Sequence, residues 1–146
     1  MDKRIKLDQV APEIFGVMAR MERYLEQSSL SPIHKDLLRI HASHINGCSF
    51  CLELHKGQAR KLGETEERLD AIAFWPDSTL FSKEEKLILS LTESITLIHH
   101  TGEREELLKE ARDVFGDQYL AQLIMAIITI NAWNRLAISV HLEPLP

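Results

Sequence analysis

Cys48 and Cys51 are the two cysteines of the 146-residue chain, and His55 follows the second by one helical turn. They lie in the stretch NGCSFCLELHKGQARKLGE, residues 46–64. A CxxC pair can cycle between dithiol and disulfide, or supply two ligands to a metal. On a helix, an i, i+3 pair followed by i+4 puts all three side chains along one stripe. Asn46-Gly47 should break the preceding helix and leave Cys48 at or just before the first turn of the next. Unpaired N–H groups and the helix dipole there favour a thiolate. An imidazole one turn from Cys51 can take its proton or, once protonated, stabilise the thiolate. Spacing therefore points to Cys51 as the attacking thiol and Cys48 as the resolving one. The reverse order stays open, because in many CxxC helices the cysteine nearer the N-terminus is the more acidic.

Asp36 stands twelve residues before Cys48 on the preceding helix. If that helix and the next pack antiparallel about Asn46-Gly47, Asp36 can lie alongside the cysteine stripe. It could then orient His55 or accept its proton, as the third member of a triad does. By spacing alone it reads as a surface charge beside Lys35 and Arg39. A zinc site would need four ligands: Cys48, Cys51, His55 and one of His41 or His44. No second CxxC exists, so redox chemistry is the stronger reading. His41 and His44 read as a partly solvated polar stripe. His99 and His100 read as cations suited to a helix C-terminus. The plainest alternative makes both cysteines small buried core residues.

The elements that must position these groups are all helical. Pro12 suits the first turn of a helix whose apolar positions are Ile14, Val17, Met18, Met21 and Leu25. Exposed-looking methionines on it suggest an interface. Pro32 starts a second helix with Leu37, Leu38, Ile40 and Ile45 on its apolar side. The cysteine helix ends at Gly63, a natural residue for that position. TEERLDAIAFW is a short fourth helix stopped by Pro76. Ser82 and Glu85 have capping-box spacing at the head of the fifth. EREELLKEARDVFG closes at Gly116, and a last helix runs from Gln118 to about His141. That helix is apolar around most of its girth, so it is central to the core or covered by a partner subunit. No alternating run suggests a strand. The expectation is an all-α, single-domain bundle of about seven helices over residues 1–146.

Net charge is −5, which argues against nucleic acid as a main partner. The N-terminus lacks a secretory signal pattern. The apolar run Leu120–Trp133 is interrupted by Gln122, Thr129 and Asn131 and is short for a bilayer. A cytoplasmic chain with no membrane span is expected, where paired cysteines point to redox or metal chemistry rather than a structural bridge.

INGCSFCLELHKGQARKLGETEERLDAIAFWPDSTLFSKEEKLILSLTESIT closely resembles the alkylhydroperoxidase D-like branch of the carboxymuconolactone decarboxylase family. The likeness runs from about Pro32 to Thr96 and continues more weakly over INAWNRLAIS, residues 130–139. The family signature is an acid, a CxxC twelve positions on, and a histidine four past the second cysteine. Asp36, Cys48, Cys51 and His55 match it. The resemblance implies an all-helical homo-oligomer, a trimer or hexamer, without metal or bound organic cofactor. It implies a thiol peroxidase acting on a small-molecule peroxide and recharged by a dithiol or disulfide-reductase donor. In those terms Cys51 is the peroxidatic thiol, Cys48 resolves it, and His55 and Asp36 form the proton relay. The family acid is usually Glu, and Asp36 is one methylene shorter, which leaves room for an ordered water. Some peroxidase members carry a histidine between the cysteines, where this chain has Phe50. The alternative reading is a disulfide oxidoreductase or redox-sensing relay with little peroxidase turnover.

Overall fold

The computed structural model describes residues 4–100 and 102–142. In chain order the helices are α1 (Leu7–Val10), α2 (Glu13–Glu26), α3 (Pro32–Asn46), α4 (Ser49–Lys61) and α5 (Glu66–Ala71). A 3₁₀ segment (Ile72–Asp77) precedes α6 (Lys83–Thr96), α7 (Arg104–Phe115) and α8 (Asp117–Ser139). No strand occurs among the described residues. The class is all-α, as the periodicity required.

The long last helix lies at the centre, packed against α2, α3, α4, α6 and α7. Leu123, Ile127 and Ile130 of α8 meet Leu38 of α3 and Ile88 and Leu91 of α6 in the main core. By length and composition α8 would also suffice to cross a membrane. Here it is a core helix, and its buried polar side chains have partners. Ser29 Oγ donates to Gln122 Oε1 at 2.7 Å, and Thr129 Oγ1 donates to Met125 O at 2.8 Å. Ile128 and Ile138 remain exposed. A second cluster, with Leu37, Ile40, Ala59, Leu69, Ile72 and Leu89, fills the space beneath α4 and α5.

The turn between α3 and α4 decides where the cysteines sit. Gly47 has φ 69°, the left-handed conformation that costs glycine least. That turn lets the Cys48 N–H reach Ser43 O at 3.0 Å. Asn46 Nδ2 donates to Asn131 Oδ1 and Asn134 Oδ1, each at 2.9 Å. Asn134 Nδ2 then donates to Ser43 Oγ at 3.0 Å, and Asn131 Nδ2 to Thr96 Oγ1 at 2.9 Å. A chain of amides thus ties the corner to α8 and, through Thr96, to α6.

Several sequence expectations change in detail. α1 was not foreseen. On α2 the inward stripe is Ile14, Met18, Met21 and Leu25, an i, i+4, i+7, i+11 seam. Val17 lies off that seam and is exposed, whereas Met18 is buried and Met21 half-buried. The exposed methionines expected there are absent, because their side chains face the bundle. The fourth helix is shorter than expected: the backbone tightens into 3₁₀ at Ile72 and kinks at Phe74, so Pro76 sits inside the 3₁₀ segment. α6 ends at Thr96, before His99 and His100, which are exposed. The cation that serves the chain end there is Arg104, donating to Ser94 O, Ile98 O and His100 O. The capping box at Ser82 and Glu85 is present.

Asn134→Ala should leave Asn46 Nδ2 and Ser43 Oγ each short of a partner in a buried corner. We expect about 1–3 kcal/mol of destabilisation in urea unfolding with an unchanged m-value. A loss below about 0.5 kcal/mol, the ordinary range for surface changes, would mean that the amide chain does not hold the corner.

Candidate active site

Cys48 is the N-cap residue of α4, with extended backbone, and its Sγ accepts the Cys51 N–H at 3.3 Å. The helix N-terminus therefore delivers an amide to the first sulfur. Cys51 lies one turn in, and the two are joined as a disulfide with Cα atoms 5.3 Å apart, within the usual span for such bonds. Both are buried, packed with Ala137 of α8 and Phe50.

His55 follows one turn later and is also buried. Its Nδ1 lies 2.9 Å from Gln58 Oε1. Burial drives its pKa down to about 4; the Gln58 hydrogen bond opposes that, and the Arg39 charge adds to it. The imidazole is thus neutral at physiological pH and free to accept a proton. Asp36, on α3, is buried as well, against the surface reading its neighbours suggested. Loss of solvent lifts its carboxyl to about 6, with Arg39 and Lys35 holding the rise in check and Glu64 adding to it.

A cavity of about 480 Å³ has Cys51, His55 and Gln58 of α4 on one side. Phe50, Leu54, Trp133 and Ala137 give it apolar walls, and Glu22, Glu26, Lys35 and Arg39 supply its charges. Asp36 lines an adjoining cavity of about 450 Å³, with Lys35, Arg39, Gln58 and Lys61. Lys35, Arg39 and Gln58 belong to both, so they form the partition. The fold therefore brings Cys51 and His55 to one space and Asp36 to its neighbour. Among the described residues no hydrogen bond joins Asp36 to His55; the imidazole's partner is Gln58. Cys48 lines a smaller cavity of about 230 Å³, with Gly47, Ser49, Phe50, Ala137 and Ile138.

Three further groups escaped the sequence reading. Arg39 Nη2 donates to Glu22 Oε2 at 2.9 Å, and Trp133 Nε1 donates to Glu22 Oε1 at 3.1 Å. These join α2, α3 and α8 at the cavity wall. Arg39 is one turn after Asp36, which could have flagged it; Glu22 and Trp133 lie far apart in sequence, and nothing local links them. His41 is buried rather than solvated, with Nε2 bonded to Glu93 Oε1 at 2.8 Å. Trp75 Nε1 donates to the same oxygen at 2.7 Å. His44 is exposed. Neither histidine lines the cysteine cavities, and among the described residues no three His, Cys, Asp or Glu side chains gather as a metal set.

The shifts at His55 and Asp36 act oppositely on stability. Between about pH 4 and 6.5 the unfolded chain protonates His55 and the folded one does not, so stability falls on acidification. Between about pH 3.8 and 6 the folded chain keeps the Asp36 proton that the unfolded chain loses, so stability rises on acidification. The two slopes largely cancel near pH 5. Asp36→Asn removes one of them. Its stability should therefore fall more steeply than wild type from pH 6 to pH 4, by up to one proton's slope, about 1.4 kcal/mol per pH unit. Parallel curves from urea titrations would show that Asp36 does not titrate above its ordinary range.

Residues 12–94 match the Carboxymuconolactone decarboxylase family. An uncharacterized protein of Bacillus subtilis (strain 168), YdfG, is 37% identical over 139 residues, covering 95% of each chain. A solved structure from Agrobacterium tumefaciens, of unknown function and described as a candidate antioxidant defence protein AhpD, superposes with a TM-score of 0.93. It is 29% identical and covers 98% of both chains. An uncharacterized peroxidase-related protein from Silicibacter sp. TM1040 has the same fold at a TM-score of 0.79 and 19% identity. It spans 92% of this chain and 71% of its own. With its CxxC at the head of α4 and a helical frame shared with an AhpD-like structure, the chain belongs to the Carboxymuconolactone decarboxylase family.

Proposed function

We propose that the protein is a thiol-dependent peroxidase working through a Cys48/Cys51 dithiol–disulfide cycle. The observation that carries this reading is the shared cavity of Cys51 and a neutral, buried His55, with Cys48 already within bonding reach. His55 takes the Cys51 proton. The thiolate attacks the terminal oxygen of a hydroperoxide, the O–O bond breaks, and the alkoxide leaves and is protonated to an alcohol. Cys51 is then a sulfenic acid. The Cys48 thiol attacks that sulfur, water leaves, and the disulfide forms. An external dithiol, free or on a disulfide reductase, returns the pair to thiols. The sum is one hydroperoxide and one dithiol converted to an alcohol, water and a disulfide. Asp36, ionised near neutral pH behind the partition, stabilises positive charge on this side of the site. No metal or organic cofactor enters. A cytoplasmic homo-oligomer, trimer or hexamer, is the matching setting.

A second reading rests on Cys48. Its sulfur at the N-cap receives the Cys51 amide, the arrangement that acidifies a thiol in disulfide exchange. On this reading the pair is a disulfide relay or redox sensor with little peroxide turnover.

Peroxide consumption with a dithiol donor separates the two. Cys51→Ser should abolish consumption, and Cys48→Ser should react once and stall with Cys51 as sulfenic acid, trapped by a sulfenic-selective reagent. Equal rates for wild type and Cys51→Ser would refute the peroxidase. A pair that exchanges readily with a donor but consumes peroxide negligibly would establish the relay.

A further inference from the structure

Gln58 stands three residues past His55 on the same helix, so the two side chains meet across one turn. Its carboxamide oxygen lies 2.9 Å from His55 Nδ1. An amide oxygen accepts and cannot donate, so the proton of the neutral imidazole belongs on Nδ1 and the lone pair on Nε2. The imidazole is only 8% exposed, which limits exchange of tautomers through water. Gln58 also lines both cavities, whereas Asp36 lines only the second.

We infer that Gln58 is a positioning residue: it holds His55 in the Nδ1–H tautomer and leaves Nε2 to accept the Cys51 proton. In that step the Cys51 S–H bond breaks, the proton moves to Nε2, and the sulfur keeps the electron pair. Because Gln58 carries no charge, its hydrogen bond offsets only part of the desolvation of the imidazolium, and His55 stays neutral until it takes a proton. The charged groups that face the site are Glu22 and Glu26 of α2 and Lys35 and Arg39 of α3, with Asp36 and Lys61 in the adjoining cavity. From α8 come only Trp133 and Ala137, neither of which titrates. The inference rests on reading Cys51 as the reacting thiol, and its test needs no peroxide.

The test uses the full chain with Cys48→Ser, reduced, so that Cys51 is the sole thiol. Nitrogen-15 NMR of the imidazoles reports the His55 tautomer, and iodoacetamide alkylation reports Cys51 reactivity from about pH 5 to about pH 9, bracketing the His and Cys pKa values. The parent should show His55 protonated on Nδ1. Gln58→Leu should mix the tautomers and slow alkylation below neutral pH by roughly tenfold, the factor of one pKa unit. Gln58→Glu should restore the Nδ1–H tautomer and raise the His55 midpoint by about one unit. A proton on Nε2 in the parent overturns the inference. So does a Gln58→Leu protein, folded by circular dichroism, whose tautomer and alkylation profile match the parent. If these expectations hold while peroxide turnover is absent, the peroxidase reading falls and the positioning role stands.

Discussion

The buried amide chain at the α3–α4 corner is the constraint on which the site depends. Asn46 ends α3, Gly47 turns the backbone, and Cys48 begins the cap of α4 within two residues. A corner this tight has little freedom once Asn46 is bonded to Asn131 and Asn134. Asn134 and Ser43 are fully buried, so water cannot replace a missing partner. The position of α8 therefore sets the position of Cys48, and Ala137 on the same helix supplies the small side chain against which both sulfurs pack.

Burial on that scaffold sets the electrostatics. The imidazole at 55 and the carboxyl at 36 both lose solvent, and each is pushed toward its neutral form. Arg39 acts on both with opposite consequence: it disfavours an imidazolium and favours a carboxylate. Near neutral pH the result is a neutral base facing the cavity and an anion behind the Lys35–Arg39–Gln58 partition. The Arg39–Glu22–Trp133 contacts fix that guanidinium, so α2 and α8 both contribute to the field at α4. The apolar walls of Phe50, Leu54 and Trp133 reduce screening of that field.

The two sulfurs, though bonded, face different surroundings. Cys51 opens to the larger cavity with His55; Cys48 borders a smaller one at the head of the helix. Phe50 and Ala137 line both spaces.

The chemistry-bearing residues and the all-helical class were legible in the chain itself. Apolar periodicity, Asn-Gly at 46–47, the Ser82–Glu85 box and the CxxC-to-His spacing are local, and a helix converts spacing into direction by its own geometry. The acid twelve positions before the pair was legible through the family signature. What Asp36 does there was not. Its burial, and its place in the cavity adjoining that of His55 with Gln58 lining both, depend on how α3 packs against α4. The same holds for His41, whose partners Glu93 and Trp75 come from α6 and the 3₁₀ segment. Local sequence determined which groups lie on which face. Only packing between distant helices decided which faces are dry, which charges meet, and hence which protonation states the site holds, because desolvation and Coulomb interactions depend on distance in space.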